Sequence, residues 1–178
     1  MTTDLHQPAD DSEPPLALRR AERGFTDQAE IVDVLQRGEV GHLGLVDQAG
    51  PYVVPVSYGF AAGRDRITVY LHGAATGRKL AALAGDDRVC FEVMVRHGLH
   101  GTAGEVCELG VDYESVMGFG HGRLISDPAE RRAGLATIVA HYAPERASET
   151  PDPVPEHIAL LALDLTAWSG KRLLPAGA

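Results

Sequence analysis

Cysteine and aromatic residues are scarce in this chain, and its basic residues are outnumbered by acidic ones. Two cysteines, Cys90 and Cys107, are too few for a disulfide scaffold, and we interpret them as free thiols. Sixteen lysines and arginines against 25 aspartates and glutamates give a net charge of -9. That charge argues against binding of nucleic acid or of an anionic membrane through bulk attraction, so any anion site must be local.

Long apolar runs are also missing from the sequence. No stretch is long enough to span a membrane, and the acidic N-terminal stretch lacks the basic and apolar regions of a signal peptide. We therefore expect a cytoplasmic protein with neither a membrane nor a nucleic acid as partner. A chain of 178 residues that is 44% hydrophobic can bury one sizeable core, so we expect one folded domain.

The composition divides the chain into three parts. We expect residues 1–24 to form a mobile N-terminal tail or arm, residues 25–172 the folded domain, and residues 173–178 a C-terminal tail. Residues 1–15 are rich in Asp, Pro and Thr without periodicity, which is typical of a tail. The Arg-rich residues 19–23 are expected to lie as an arm on the body or on a partner subunit.

The hydrophobic periodicity predicts six strands and three helices. The strands are expected at residues 42–46, 51–60, 67–71, 88–95, 113–126 and 158–168, and the helices from Thr26 or Asp27 to Gly38, from Thr76 to about Gly85, and from Asp127 to about Tyr142. Because the first three strands follow one another without a crossover, we expect a mainly β protein with flanking helices, built as a six-stranded antiparallel Greek-key barrel. Proline cannot donate to a ladder, so Pro55 predicts that its strand is interrupted or lies at an edge.

A small-residue loop joins the third strand to the second helix. Gly73 and Gly77 let backbone amides approach a ligand closely, and Thr76 is expected to cap the helix. Arg78 and Lys79 then place two positive charges in the first helical turn, where the helix dipole favours anions. A bound phosphate would remove that conflict, so this segment predicts a phosphate site. The alternative is a surface helix whose two cations are simply solvated.

Residues 97–110 are rich in glycine, and we expect them to form an irregular loop of functional importance. Cys107 lies near His97, His100 and Glu105 in this stretch. Their spacing fits no zinc-binding pattern, so we predict no metal site.

Taken in order, the motifs resemble the pyridoxamine 5'-phosphate oxidase-like, FMN-binding split-barrel superfamily, and within it the nitroimidazole-resistance (Nim) type. The matching segments are residues 41–46, 51–59, 71–74 with 77–79, 89–93, 113–116 with 118–120, and 169–171. The resemblance implies a split barrel that forms a homodimer and holds two FMN molecules at the subunit interface.

The resemblance also implies where FMN binds. Arg78 and Lys79 would bind the phosphate, while Ser115, Trp168 and Lys171 would approach the cofactor, the last two across the interface. The full set of cofactor-binding residues is then Val54, Pro55, Val56 and Ser57 along the isoalloxazine, His72 and Gly73 beside it, Thr76, Arg78 and Lys79 at the phosphate, and Ser115, Trp168 and Lys171.

Two departures from the family pattern limit what the resemblance implies. The Nim type usually has arginine at the position of Glu114, so a charge beside the expected site has changed sign. The basic substrate-binding residues of true pyridoxamine-phosphate oxidases also have no clear match near the C-terminus. We therefore do not expect vitamin B6 oxidation.

Flavin chemistry needs little from the protein beyond holding the ring, tuning its electronics and shaping access for an acceptor. A positive charge or hydrogen-bond donor near the reducible edge of the ring stabilises the anionic reduced form. His72 is the best catalytic candidate, because histidine is the side chain that ordinarily changes charge around neutral pH and this one ends a predicted strand. The alternative is that His72 only packs or bonds to backbone, and His42 and His121 are weaker candidates.

The resulting expectation is an FMN-dependent oxidoreductase that passes electrons from a reduced nicotinamide, or another donor, to a small organic acceptor such as a nitroaromatic. Three alternatives stay open: a haem-binding or haem-processing split barrel, use of a deazaflavin, and a non-catalytic flavin-binding dimer.

Overall fold

A computed structural model describes residues 18–102 and 104–175 of the chain, so the predicted tail at residues 1–15 lies outside the described residues. Within the described part, eight strands and three α-helices form the fold. The strands are β1 (Gly24–Phe25), β2 (Gly41–Asp47), β3 (Gly50–Val56), β4 (Tyr58–Ala62), β5 (Ile67–Ala74), β6 (Arg88–His100), β7 (Gly110–Leu124) and β8 (Ile158–Leu173). The helices are α1 (Gln28–Arg37), α2 (Arg78–Gly85) and α3 (Pro128–Tyr142).

Every strand pairing is antiparallel, and the main sheet has the order β3-β2-β6-β7-β8-β5-β4. The two end strands, β3 and β4, follow one another in the chain but do not pair. The sheet therefore stays open between them. This confirms a mainly β, antiparallel split architecture with flanking helices.

The expected number of six strands is wrong for two reasons. The predicted second strand breaks at Ser57, where the chain passes from β3, which pairs with β2, to β4, which pairs with β5. The second addition is β1, where Gly24 and Phe25 pair with Lys171 and Gly170 of β8. Gly24, the last residue of the segment expected to be a tail or arm, thus pairs with the sheet. Pro55 lies in the end strand β3, which confirms the prediction of an edge or an interruption.

The loop predicted over residues 97–110 is too long at both ends, because β6 continues to His100 and β7 begins at Gly110. Residues 101–102 and 104–109 lie between the two strands, with a short 3₁₀-helix at Val106–Glu108. The glycine at position 110 has a packing role: a Cβ there would lie 2.6 Å from the His100 ring. His100 is in turn hydrogen-bonded across the ladder to the buried Asp112, at 2.9 Å.

The barrel interior holds the main core, which α1 closes by burying Ile31, Val34 and Leu35. Asp27, one of the two caps that the sequence predicts, caps this helix by accepting hydrogen bonds from the Ala29 and Glu30 amides. A second, smaller core lies under α3 and includes Ile125, Ile138 and Leu160. No helix among the described residues is long and apolar enough to cross a membrane.

Candidate functional site

The loop between β5 and α2 has the backbone that a phosphate site needs, but with a different helix cap from the one predicted. The N-cap is Gly77, whose φ of 136° lies in a region that disfavours other residues. Thr76 is therefore one residue too early to cap α2, and its side chain makes no capping bond. The helix ends at Gly85, as expected. We call the group formed by Gly73, Gly77, Arg78 and Lys79 the cradle.

Arg78 is held at the start of α2 by residues of the β2–β3 hairpin. Its Nε donates to Asp47 Oδ2 at 2.6 Å, and its Nη2 donates to Oδ1 of the same carboxylate at 3.2 Å. The guanidinium carbon also lies 4.3 Å from the centre of the Tyr52 ring, within cation–π range. The hydrogen bond from Arg78, with that from the Ala49 amide, holds the pKa of Asp47 below its usual value. One guanidinium nitrogen, Nη1, is left outside this pair.

Lys79 differs from its neighbour, because its side chain is half-buried and has no hydrogen-bond or ion-pair partner among residues 18–102 and 104–175. Its Nζ lies 3.1 Å from the point where a Cβ on Gly73 would be, so Gly73 makes room for the ammonium. Burial lowers the pKa of Lys79. A half-buried ammonium without a counter-charge is a natural binding partner for an anion.

The cradle lies beside an open strand edge. The β4–β5 ladder ends at the pair Tyr58–Leu71, so His72 to Ala74 pair with β8 on one side and with no described strand on the other. Ser57 lies just beyond the same end of the ladder. This brings Ser57, His72 and Gly73 to one place, as the predicted site requires.

The predicted ring-lining residues of β3 alternate between two environments. Val56 is buried and Val54 is half-buried, while Pro55 is exposed, as is Ser57 after the strand. The His72 side chain is exposed and makes no hydrogen bond or ion pair with the described residues. The role of His72 therefore stays a prediction, and no described side chain holds its imidazole.

Ser115 and Lys171 form a separate group. They are opposite one another in the β7–β8 ladder, with Ser115 Oγ 3.5 Å from the Lys171 carbonyl oxygen. Lys171 lies twelve residues beyond Ala159, the β8 partner of Gly73, which is roughly 40 Å along an extended strand. Trp168 is an odd number of residues from Lys171, so it faces the other side of β8, where it packs against the main core. One chain therefore does not bring these three residues to the cradle.

Glu114, the residue with the unexpected charge, is engaged in a structural contact. Its carboxylate accepts from Arg37 of α1 at 2.7 Å and lies 2.9 Å from His97 Nε2. Arg37 also binds Asp33, at 2.6 Å. Burial by itself would raise the pKa of Glu114, but the hydrogen bonds from Arg37 and His97 outweigh it and the net pKa is lowered. This residue links α1 to the sheet.

Sequence reasoning missed Asp47 and Tyr52 as neighbours of the cradle. Asp47 is 31 residues from Arg78, and its only sequence signal was a turn in which it binds the Ala49 amide. No local pattern pairs it with an arginine. Among the described residues, no group of three or more His, Cys, Asp or Glu is placed to hold a metal ion.

Comparison with known proteins gives a family match over most of the chain. A sequence model of the family described as pyridoxamine 5'-phosphate oxidase matches residues 27–172. A search of curated proteins gives no match.

Solved structures share the fold over most of the chain. A proposed 5-nitroimidazole antibiotic resistance protein from Bacteroides thetaiotaomicron is 28% identical, with a TM-score of 0.69 over 83% of this chain and 85% of that chain. A flavocytochrome from Azotobacter vinelandii is 26% identical, with a TM-score of 0.74 over 89% of this chain and 73% of that one. An FAD- and haem-binding protein from Mycobacterium smegmatis, at 22% identity and a TM-score of 0.70 over 88% and 77%, shows likeness of fold. With the family match spanning most of its length, the chain belongs to the pyridoxamine 5'-phosphate oxidase family.

Proposed function

We propose that the protein binds FMN at the cradle and acts as a flavin-dependent oxidoreductase. The observation that carries the proposal is the half-buried Lys79 ammonium, which has no partner among the described residues and lies next to Arg78 at the start of α2. Positive charge, glycine backbone and the helix dipole converge there, and all three favour a phosphate. The donor set therefore fits the phosphate of a flavin nucleotide.

Each part of the site has a task. Lys79 and the unused Nη1 of Arg78 hold the phosphate, while Tyr52 and Asp47 keep the guanidinium oriented. The open strand edge at His72–Ala74 and the end strand β3 offer backbone groups to the polar rim of the ring. The bound flavin supplies hydride and electron transfer. His72, exposed beside this edge, supplies a proton or a positive charge to the reacting face.

The reaction that we propose is reduction of a small organic acceptor, such as a nitroaromatic, with a reduced nicotinamide as donor. Its support is the 28% identity to the proposed nitroimidazole resistance protein of B. thetaiotaomicron over most of both chains. We also propose that the protein works in the cytoplasm.

The functional unit that we propose is a homodimer. The outer face of β6 and β7 exposes Met94 at 45% and Met117 at 42%, and Val53 on β3 is 65% exposed. Exposed apolar residues on adjoining strands favour an interface between chains. A second chain would also bring Ser115 and Lys171 to the cradle of the first, which one chain cannot do.

A second candidate is a haem-binding protein, and the 26% identity to a flavocytochrome favours it over the remaining alternatives. The visible spectrum of the purified protein distinguishes a flavin-binding from a haem-binding protein. Flavin gives two absorption bands toward the blue end of the visible spectrum, and haem gives an intense Soret band. A deazaflavin would give a spectrum different from either.

Titration of the cofactor-free protein with FMN, followed by flavin fluorescence, tests the main proposal. We expect saturation at one FMN per chain, and nicotinamide-dependent reduction of a nitroaromatic by the loaded protein. His72→Ala should lower the turnover by a larger factor than it lowers FMN affinity. Protein that is colourless as purified and takes up no added flavin would refute the proposal.

A further inference from the structure

The last turn of α3 joins the two sides of the opening in the sheet. Gly38 and Glu39 lie just before β2, on the side that carries β3, whereas Tyr58 begins β4 on the other side. The hydroxyl of Tyr142 donates to the Glu39 carbonyl oxygen at 2.8 Å and accepts from the Tyr58 amide at 3.0 Å. One side-chain oxygen is thus bonded to the backbone of both sides.

Further hydrogen bonds connect the same elements beside Tyr142. His141 Nε2 lies 2.8 Å from the Gly38 carbonyl oxygen, and because a carbonyl can only accept, Nε2 carries the proton and donates. The buried Tyr58 hydroxyl lies 2.6 Å from the Leu35 carbonyl oxygen and 3.1 Å from that of Gly38. Burial raises the pKa of Tyr58, so this hydroxyl keeps its proton and stays a donor.

The three rings also pack against one another, and we call Tyr58, His141 and Tyr142 the aromatic cluster. The centre of the His141 ring lies 4.6 Å from that of Tyr58 and 4.7 Å from that of Tyr142, distances typical of favourable ring pairs. A glycine brings the helix close enough for these contacts. A Cβ on Gly59 would lie 2.5 Å from the Thr137 backbone, so α3 lies directly on β4 beside the cluster.

The exposure of Tyr142 separates its local role from the stability of the fold. Its side chain is 44% exposed and belongs to neither core, so it buries little of the apolar surface that stabilises the protein. Its hydroxyl is nevertheless bonded twice. The contribution of Tyr142 is therefore to the position of two backbone segments, and loss of the hydroxyl should leave the protein folded.

The segment that the aromatic cluster holds is the one where the flavin ring is proposed to bind. Ser57 is the single residue between β3 and β4, so the bond to the Tyr58 amide fixes the residue directly after it. Tyr58 also pairs with Leu71, the last β4–β5 pair before the open edge that begins at His72. A shift of Tyr58 would therefore change how Ser57 and His72 lie relative to each other.

We propose that His141 and Tyr142 are positioning residues for the flavin ring, which hold Ser57 and the strand edge at His72 in the arrangement that receives it. The inference rests on the proposed function, because the ring belongs to the flavin bound at the cradle. None of the hydrogen bonds of His141 and Tyr142 involves the cradle. The aromatic cluster should therefore affect the ring end of FMN and leave the phosphate end unchanged.

The test removes one hydroxyl and compares the result with a matched removal. Tyr142→Phe loses both hydrogen bonds and keeps the ring, while Tyr70→Phe removes a hydroxyl that has no hydrogen-bond partner among the described residues. Tyr70 is a suitable control because it also packs against α3, at Gly134. Isothermal titration with FMN and with ribose 5-phosphate, which has the phosphate but no ring, gives the affinities, and circular dichroism checks folding.

Tyr142→Phe should weaken FMN binding by up to about tenfold, the equivalent of one hydrogen bond, without changing the affinity for ribose 5-phosphate. At saturation the fluorescence anisotropy of bound FMN should fall, because the ring is held less firmly. Tyr70→Phe should match the wild type in all three measurements. His141→Phe, which cannot donate to Gly38, should act like Tyr142→Phe, and His141→Gln, which keeps a donor, should retain part of the affinity.

Two results would overturn the inference. One is equal FMN affinity and anisotropy in Tyr142→Phe and Tyr70→Phe. The other is an equal loss of affinity for FMN and ribose 5-phosphate in Tyr142→Phe, which would reveal a general loss of structure. If Tyr142→Phe does not fold, His141→Phe and His141→Gln give the same test, and equal FMN affinity in those two variants would overturn the inference.

Amide hydrogen exchange of the cofactor-free protein separates the inference from the proposed function. A wild type that takes up no FMN refutes the proposed function. Faster exchange at the Tyr58 amide in Tyr142→Phe than in Tyr70→Phe would then keep the aromatic cluster as the group that holds the opening. Equal exchange at Tyr58 in the two variants would overturn that role as well.

Discussion

Two charged regions of this molecule contain similar residues but differ in whether each charged side chain has a partner among the described residues. Around Glu114, the side chains of Asp33, Arg37 and His97 form a closed set in which each charge meets an opposite charge or a hydrogen-bond partner. In the cradle, Arg78 has a carboxylate partner but Lys79 has none among the described residues. A closed set stabilises the fold, whereas an unpaired half-buried cation costs stability until a ligand neutralises it.

Variants of the two regions should therefore change different properties, namely stability around Glu114 and flavin affinity at Lys79. Changes around Glu114 should lower stability without altering flavin affinity, and changes at Lys79 should do the reverse.

The largest effect is expected for Lys79→Met. Removing the ammonium should weaken FMN binding by about 1.5 to 3 kcal/mol, the worth of a charge-assisted hydrogen bond. Because methionine is uncharged and of similar length, thermal stability of the cofactor-free protein should stay the same or rise. Arg64→Ala, at an exposed position distant in the chain from the cradle, is the control for loss of one positive charge. Equal FMN affinity in Lys79→Met and wild type would show that the phosphate lies elsewhere.

Glu114→Gln is expected to act on stability, by about 1 to 3 kcal/mol, since Arg37 and His97 would lose a charged acceptor on a side chain only 12% exposed. The pKa of Glu114 is lowered in the folded protein, so its contribution is present above the unfolded-state pKa and is lost as pH falls through the folded-state value. The gap between variant and wild type in urea unfolding should therefore close in acid. Glu92→Gln, which loses only the more exposed pair with His42, is the milder control.

A smaller effect is expected from pH at Lys79, whose pKa burial lowers. Between the folded and unfolded pKa values the unfolded chain binds more protons, so stability of the cofactor-free protein should rise with pH. Over the same alkaline window FMN affinity should fall, because the neutral amine no longer pairs with the phosphate. Both trends should be missing from Lys79→Met, measured by unfolding and by titration at each pH.

The smallest effect is expected for Asp47→Asn. The asparagine leaves the backbone turn intact but no longer holds the Arg78 guanidinium with a full negative charge. Arg78 then becomes more available to a phosphate, and FMN should bind up to a few times more tightly. Weaker FMN binding in this variant would instead show that the orientation of Arg78 by Asp47 matters more to binding than the charge that Asp47 neutralises.

Local patterns predicted much of this structure from the sequence. The cap at Asp27, the edge position of Pro55 and the cationic start of α2 each depend on residues close in the chain, and each is confirmed. The division of one apolar run into β3 and β4 was not predictable, because the choice depends on two different partner strands far along the chain.

The same limit applies to the site. The sequence predicted that Arg78 and Lys79 both lie at the phosphate site. Only the folded structure shows that Asp47 and Tyr52 contact Arg78, whereas Lys79 has no partner among the described residues. Two of the glycines that suggested a loop at residues 97–110, Gly98 and Gly110, instead lie in the β6–β7 ladder, which the hydrogen-bonded His100–Asp112 pair spans. Whether a glycine marks a bend or makes room for a ring depends on neighbours that its own segment does not contain.

The position of Pro55 has one more consequence, for how the open sheet avoids self-association. An open sheet has edge strands with unpaired backbone donors, and a strand from another molecule can pair with such an edge and extend the sheet indefinitely. Pro55 pairs with His42 in the ladder, so its nitrogen points away from β2, at the place where an incoming strand would need a donor. The gap in the barrel can thus stay accessible to a small flat molecule while resisting the growth of a fibril.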